Sequence, residues 1–253
     1  EDTASNAGEN WYIVSAYILG YEVFSEPFIP GISTIYTHDI FSDGSAVATY
    51  NFDGGATDLG GNYDATWINT ENYTSGITGV ANQAALINYN AGISIPNSAV
   101  PIHNWDGFSI SFWFSDLSTE GNPDYNAIFN KGYDSCIQSR IFQNGNTVFT
   151  LVAQDGSINE LNLTTDTLSL SGFNHIIYMY DSINSEISVY INGALDASMS
   201  GVGQVKNVNE RLLFFKGESL SENISGKFDQ LRIFNRPLTQ TEVDILYLEG
   251  IGA

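Results

Sequence analysis

The sequence predicts an all-β chain of many short antiparallel strands, closed as a sandwich or a barrel, with one short helix near the C-terminus. Three observations carry this. The stretch Phe108–Ser115 alternates strictly: Phe108, Ile110, Phe112 and Phe114 share one face, and Ser109, Ser111, Trp113 and Ser115 the other. From about Val47 onward, short apolar runs are separated by clusters of Gly, Asn, Asp and Ser, the punctuation of a chain that turns often. Aromatic residues make up 13% of the chain and charged residues only 15%, which suits pleated, half-buried surfaces better than solvated helices.

The elements follow in order. Residues 1–10 are small and polar. Residues 11–41 differ from the rest: Trp11–Val14 and Tyr17–Leu19 are apolar, Gly20 is placed to turn the chain, and Pro27 and Pro30 argue for extended or edge structure. Residues 1–45 therefore read as an N-terminal extension, with 11–41 as a docking segment, and residues 46–253 as the main domain. Ile187–Leu195 reads as a hairpin, because Asn192-Gly193 supplies the positive φ angles of a type I′ turn. Lys227–Phe234 reads as a late strand. Thr239 and Glu242 form a capping box ahead of Val243, Ile245 and Leu246, with Gly250 expected beyond the end of the helix.

Charge narrows the partners. Eight Lys and Arg face 29 Asp and Glu, a formal net charge of −21. Such a surface repels phosphate backbones, so nucleic acid is not an expected partner. No apolar run reaches the roughly 18 residues of a membrane span, so no membrane insertion is expected. Cys136 is the sole cysteine, which excludes an internal disulfide and reads as a small core residue. The chain begins with Glu, as expected of a processed or trimmed protein.

Several segments, taken in order, resemble the laminin-G-like family of the concanavalin A-like lectin/glucanase superfamily. Ala48–Gly54 is similar to its opening strand ending in Phe-Asp, Asp58–Tyr63 to its Asp-x-x-Gly-Asn loop, and Gly79–Leu86 to its Gly-x-x-x-x-Ala entry. Phe108–Trp113, Phe129–Gly132, Phe173–His175 and Val189–Gly193 resemble successive family strands and the Tyr-Val-Asn-Gly hairpin. Gly226–Leu238 resembles the closing strand. Phe173 departs from the usual Trp. The resemblance runs from about Ala46 to Tyr247 and implies a two-sheet antiparallel jelly-roll β-sandwich. Asp43–Ala48 also resembles lectin-like domains of phage structural proteins, and such domains occur in bacterial adhesins, which implies an extracellular or virion-surface setting.

The resemblance further implies a calcium ion held by Asp53, Asp229 and the Gly79 carbonyl, a hard-cation donor set of carboxylates and backbone oxygens. The Asp58 loop reads instead as a structural turn. Trp67, Tyr73, Trp105 and Tyr133 sit in polar, loop-like surroundings and Trp113 opposite the Phe stripe; these five are the candidate platforms for sugar, whose C–H faces stack on aromatic rings. The Glu-x-Asp-x-x-Glu pattern of the glucanase relatives is missing, and His38, His103 and His175 lack metal-ligand spacing, so no enzyme is expected. The expected function is a non-catalytic glycan-binding or adhesion module that meets carbohydrate of a host surface or matrix. The alternative is a virion decoration or fibre protein acting through protein contacts made by 11–41.

Overall fold

The computed structural model describes residues 15–18, 21–24, 37–118, 126–132, 136–142, 147–163, 172–216 and 224–251. The chain divides into two compact units, residues 1–36 and 37–253. In the first, β1 (Ser15–Ile18) and β2 (Tyr21–Phe24) pair antiparallel, with Ile18 opposite Tyr21.

The second unit is a sandwich of two antiparallel sheets and one helix. Its strands are β3 (Ala46–Tyr50), β4 (Thr66–Ile68), β5 (Tyr73–Thr74), β6 (Ala84–Ile87), β7 (Gly92–Ile95), β8 (Gly107–Ser118) and β9 (Asn126–Lys131). They continue with β10 (Ile137–Ile141), β11 (Thr147–Val152), β12 (Ile158–Asn162), β13 (Asn174–Asp181), β14 (Glu186–Ile191), β15 (Ala194–Ser200), β16 (Leu212–Phe214) and β17 (Ser225–Phe234). One sheet runs β12-β11-β10-β9-β16-β7-β4; the other runs β15-β14-β13-β8-β17-β6-β5, with β3 also paired to β17. Helix α1 spans Gln240–Ile251.

The interior is where the two sheets' inward side chains meet. Phe108, Ile110, Phe112 and Phe114 are all buried there, as the alternation of β8 predicts. Phe52, Phe112, Phe214 and Phe215 surround Phe228, with ring centroids 5.0–5.2 Å away. The first and last motif strands therefore share one core. The β14–β15 turn carries φ of 50° at Asn192 and 85° at Gly193, the left-handed pair that Asn-Gly accommodates. Thr239 N–H donates to Glu242 Oε2 at 2.8 Å and Glu242 N–H to Thr239 Oγ1 at 3.4 Å, completing the capping box. Cys136 is buried in the core, where burial pushes its thiol up to about 11.

Two expectations are corrected. Trp113, expected as a sugar platform, lies on a covered face: Ser109, Ser111, Trp113 and Ser115 are all buried. A second, smaller apolar cluster covers that side, built from Ile177, Met179, Phe234, Leu238, Val243 and Leu246 with Ile40 and Phe41 against it. Gly250 lies within the last turn of α1 rather than beyond it. It is glycine because a methyl group there would sit 2.3 Å from Trp113 Cζ2.

Candidate functional site

The site begins with a break in a sheet. Along β17, Gly226–Phe228 pair with β6 and Leu231–Phe234 pair with β3. Asp229 and Gln230 fall at the change of partner, where the register against β8 also shifts. Gln230 has φ of 48° and Phe52, just past the end of β3, has φ of 53°. Bulky residues in the left-handed region are held there at a cost, and such strain gathers at functional sites. Each of these bends stands beside an aspartate, Asp229 and Asp53.

Asp229 is 2% exposed. Its Oδ2 accepts the Ile77 amide at 3.1 Å, while its Oδ1 is buried without a hydrogen-bond partner of ordinary geometry. Burial is the main cause that lifts this carboxyl to about 8, and the nearby Asp53 charge adds to it. Asp53 Oδ2 accepts Asn51 Nδ2 at 2.7 Å. The loop that reaches Asp229 is a tight turn, with Gly79 N–H donating to the Gly76 carbonyl at 2.9 Å. Gly76 makes the closest approach, since a methyl group there would meet Asp229 Oδ2 at 2.7 Å. Gly79 is exposed at the tip of the same turn. An orphaned buried carboxylate oxygen beside a second carboxylate fits a hard cation, which would satisfy the lone oxygen and offset the repulsion. Among the described residues no group of three or more His, Cys, Asp or Glu forms, so backbone carbonyls and water would complete such a shell.

Asp58 is a turn anchor, as expected: it accepts the Thr49 and Gly60 amides on Oδ1 and the Asn62 and Tyr63 amides on Oδ2, at 2.9–3.2 Å. His175 is structural, with its Nε2 2.8 Å from Ser111 Oγ.

The five candidate aromatics do not form one platform. Trp67 and Tyr73 come together, edge to face, with centroids 5.6 Å apart. Trp67 Nε1 donates to Tyr73 Oη at 3.2 Å, and Tyr73 Oη donates to Glu71 Oε1 at 2.6 Å. Desolvation, then the Glu71 carboxylate, hold the Tyr73 phenol up at about 12, so it remains a donor. Both rings are half-buried and Glu71 is exposed. Beside them, Asn69 Nδ2 donates to the Asn90 carbonyl at 2.5 Å, and Tyr89 stands exposed. Asn69 and Tyr89 escape sequence reasoning because only folding brings the 69–72 and 88–91 loops together, whereas Glu71, two residues from Tyr73, was in reach of it. Register places Tyr73 opposite Ala85, Ala85 opposite Phe228 and Phe228 opposite Phe114. Tyr73 therefore lies level with Phe228, next to Asp229, two strands or roughly 10 Å across the sheet.

Trp105 precedes β8 at the opposite end, beside Asp106, whose carbonyl accepts the Ser182 amide at 3.0 Å. Seven strand steps, roughly 23 Å, separate the start of β8 at Gly107 from Phe114, the β8 residue level with Tyr73. Trp113 offers no face to a ligand: it is 2% exposed and stacks between His175 and Tyr247, with centroids at 4.9 and 5.7 Å. Helix α1 covers it, which period-two patterning does not reveal. Tyr133 lies outside the described residues.

Two facing sheets, a partner switch at a buried aspartate and the closing strand beside the opening one define a concanavalin A-like β-sandwich. A laminin-G-like family model, described as the concanavalin A-like lectin/glucanases superfamily, matches residues 87–244, and the chain belongs to that family. Solved structures of similar fold include domain 4 of AbnA, a GH43 extracellular arabinanase from Geobacillus stearothermophilus, in complex with arabinotriose. It aligns with a TM-score of 0.63 at 22% identity over 80% of this chain and 98% of that one. The binding domain of Paraclostridial Mosquitocidal Protein 1 aligns at 0.65 and 18% over 81% of this chain and 52% of that one. The binding domain of botulinum neurotoxin DC in complex with SialylT aligns at 0.63 and 16% over 82% and 52%. The chain thus spans about half of each toxin binding domain, and at these identities the likeness concerns the fold. No curated protein matches the chain. Among the described residues, no helix is long and apolar enough to cross a membrane.

Proposed function

We propose that this chain is a non-catalytic glycan-binding module, displayed on a virion or cell surface or secreted, and stabilised by calcium. One observation carries the reading: Trp67, Tyr73 and Glu71 form a hydrogen-bonded aromatic–carboxylate group at the loop end of the sandwich. The part of each ring left open by the core it packs against offers apolar surface to sugar C–H groups, and Glu71 with the Asn69 loop offers acceptors and donors to hydroxyls, bridged by water where the fit is loose. The carbohydrate complexes of the arabinanase domain and of the botulinum neurotoxin DC binding domain support the same use of the fold.

Calcium belongs to the proposal through Asp229 and Asp53. Bound there, it would fasten the 76–80 turn to β17 and steady the adjacent β5. The test is a broad glycan array, followed by titration calorimetry, with calcium and with chelator. Binding weakened at least tenfold by Trp67→Ala, and a calcium-dependent rise in melting temperature abolished by Asp229→Asn, are the expected results. An array without a single saturable ligand would remove the glycan reading, and a melting temperature indifferent to calcium would remove the metal.

A second reading draws on the docking segment expected at 11–41, whose residues up to 36 belong to the separate compact unit that contains β1 and β2. As a docking element of a decoration or fibre protein, this unit would carry assembly while the sandwich stays folded. Removing residues 1–36 should then abolish oligomerisation or partner capture without changing the sandwich's melting temperature. Unchanged assembly would exclude this role.

A further inference from the structure

A buried lysine stands at the rim of the core and forms no ion pair among the described residues. Lys131, the last residue of β9, is 0% exposed. Strand β16 lies between β9 and β7, and its Leu212 stands opposite Lys131 on one side and Ile95 on the other. Leu212 and Ile95 fill the core, and cross-strand neighbours share a face, so the lysine side chain enters the same interior. Asn97 follows Ile95 by two residues and Glu210 precedes Leu212 by two, which brings both to the amine.

The Lys131 Nζ donates to Asn97 Oδ1 at 2.6 Å and to the Glu210 carbonyl. Both acceptors are neutral. A buried ammonium without a counter-charge is costly, and burial pushes this amine down to about 8. Its neutral form is a nucleophile. The Asn97 carboxamide carbon lies one C=O bond, about 1.2 Å, beyond the contacted oxygen. Nζ is therefore within about 3.8 Å of that carbon, against the roughly 3–3.5 Å of aligned reactants. Asn97 Nδ2 donates to Asn209 Oδ1, which fixes the amide. The Glu210 side chain lies beside Gly132, where an added methyl would meet its Cγ at 3.3 Å, and its charge acts on the amine.

We infer that Lys131 and Asn97 join in an intramolecular isopeptide bond. Nζ adds to the Asn97 Cγ, the Cγ–Nδ2 bond breaks, and ammonia leaves. Glu210 takes one Nζ proton and returns it to the departing nitrogen, so atoms and charges balance without an oxidant or co-reactant. The bond ties β9 to the turn after β7 across the intervening β16. It constrains the unfolded chain as a disulfide does, in a chain whose sole cysteine cannot supply one. The assignment is independent of glycan and calcium binding.

The test is intact mass spectrometry of the full chain, followed by tryptic mapping. The folded chain should weigh one ammonia less than its sequence, with no cleavage after Lys131 and one branched peptide containing Lys131 and Asn97. Asn97→Asp should reach the same mass by losing water instead. Asn97→Ala should keep its full sequence mass, regain cleavage after Lys131 and melt at a lower temperature. Glu210→Gln, at an exposed position, should cut the linked fraction at least tenfold while circular dichroism shows the same fold. A folded native chain at full sequence mass would overturn the assignment, as would loss of ammonia with Lys131 still cleavable, the mark of ring closure at Asn97 alone. An unchanged linked fraction in Glu210→Gln would remove Glu210 from the step.

Discussion

Phe52 and Phe228 pack ring to ring in the core, centroids 5.1 Å apart, and each is followed in sequence by an aspartate of the candidate cation site. The spacing of Asp53 and Asp229 is therefore set by core packing more than by the loops that carry them. Truncating Phe228 to Ala removes a ring touched by four other phenylalanines and should cost about 3–5 kcal/mol. Denaturant unfolding measures this, and a loss below about 1 kcal/mol would deny the ring its central place.

Gly250→Ala should reverse the usual helix rule. In an open helix the change gains about 1 kcal/mol. Here the new methyl would meet the Trp113 ring at 2.3–2.6 Å, so overpacking dominates and a net loss of about 1–3 kcal/mol is expected. A rise in melting temperature would show that α1 does not hold Trp113 in place.

Two ion pairs should respond very differently. Arg232 is 2% exposed and its Nη2 donates to both oxygens of Glu249, at 2.7 and 2.9 Å. Its Nη1 donates to the Thr37 carbonyl at 3.0 Å. Glu249→Ala strands a buried guanidinium and should cost about 3 kcal/mol. The pair Arg140–Glu160 is half solvated on the Glu160 side, and Glu160→Ala should cost no more than about 1 kcal/mol. Equal losses in denaturation curves would contradict this ranking.

Acid should weaken the fold through His175. Burial, then the Arg232 charge, hold its imidazole down at about 3, against an ordinary value of 6.5. The unfolded chain therefore takes up the proton first as pH falls. The contribution is fully present above pH 6.5 and is lost between 6.5 and about 3, at about 1 kcal/mol per pH unit. Comparing stability against pH for the native chain and His175→Gln isolates this effect. Parallel curves below pH 6.5 would dismiss it.

Much of the architecture was written in short-range pattern. Alternation in β8 fixed which side chains enter the core, Asn192-Gly193 fixed a hairpin, and Thr239 with Glu242 fixed where the helix begins. These are local because dihedral preference and side-chain period act over a few residues. The sequence also marked Asp53 and Asp229 through their motif strands.

Tertiary structure alone decided which marked residues stay accessible. Period two assigned Trp113 to the outer side of its sheet, but α1 packs there and buries it. Trp67 was visible as an aromatic in a polar stretch, while its partnership with Tyr73 and Glu71 required the edges of two sheets to meet. The approach of Lys131 to Asn97, and the gap where β17 changes partners, likewise arise from strand pairing. A face becomes a site only according to what covers it, and that depends on segments far away in the chain.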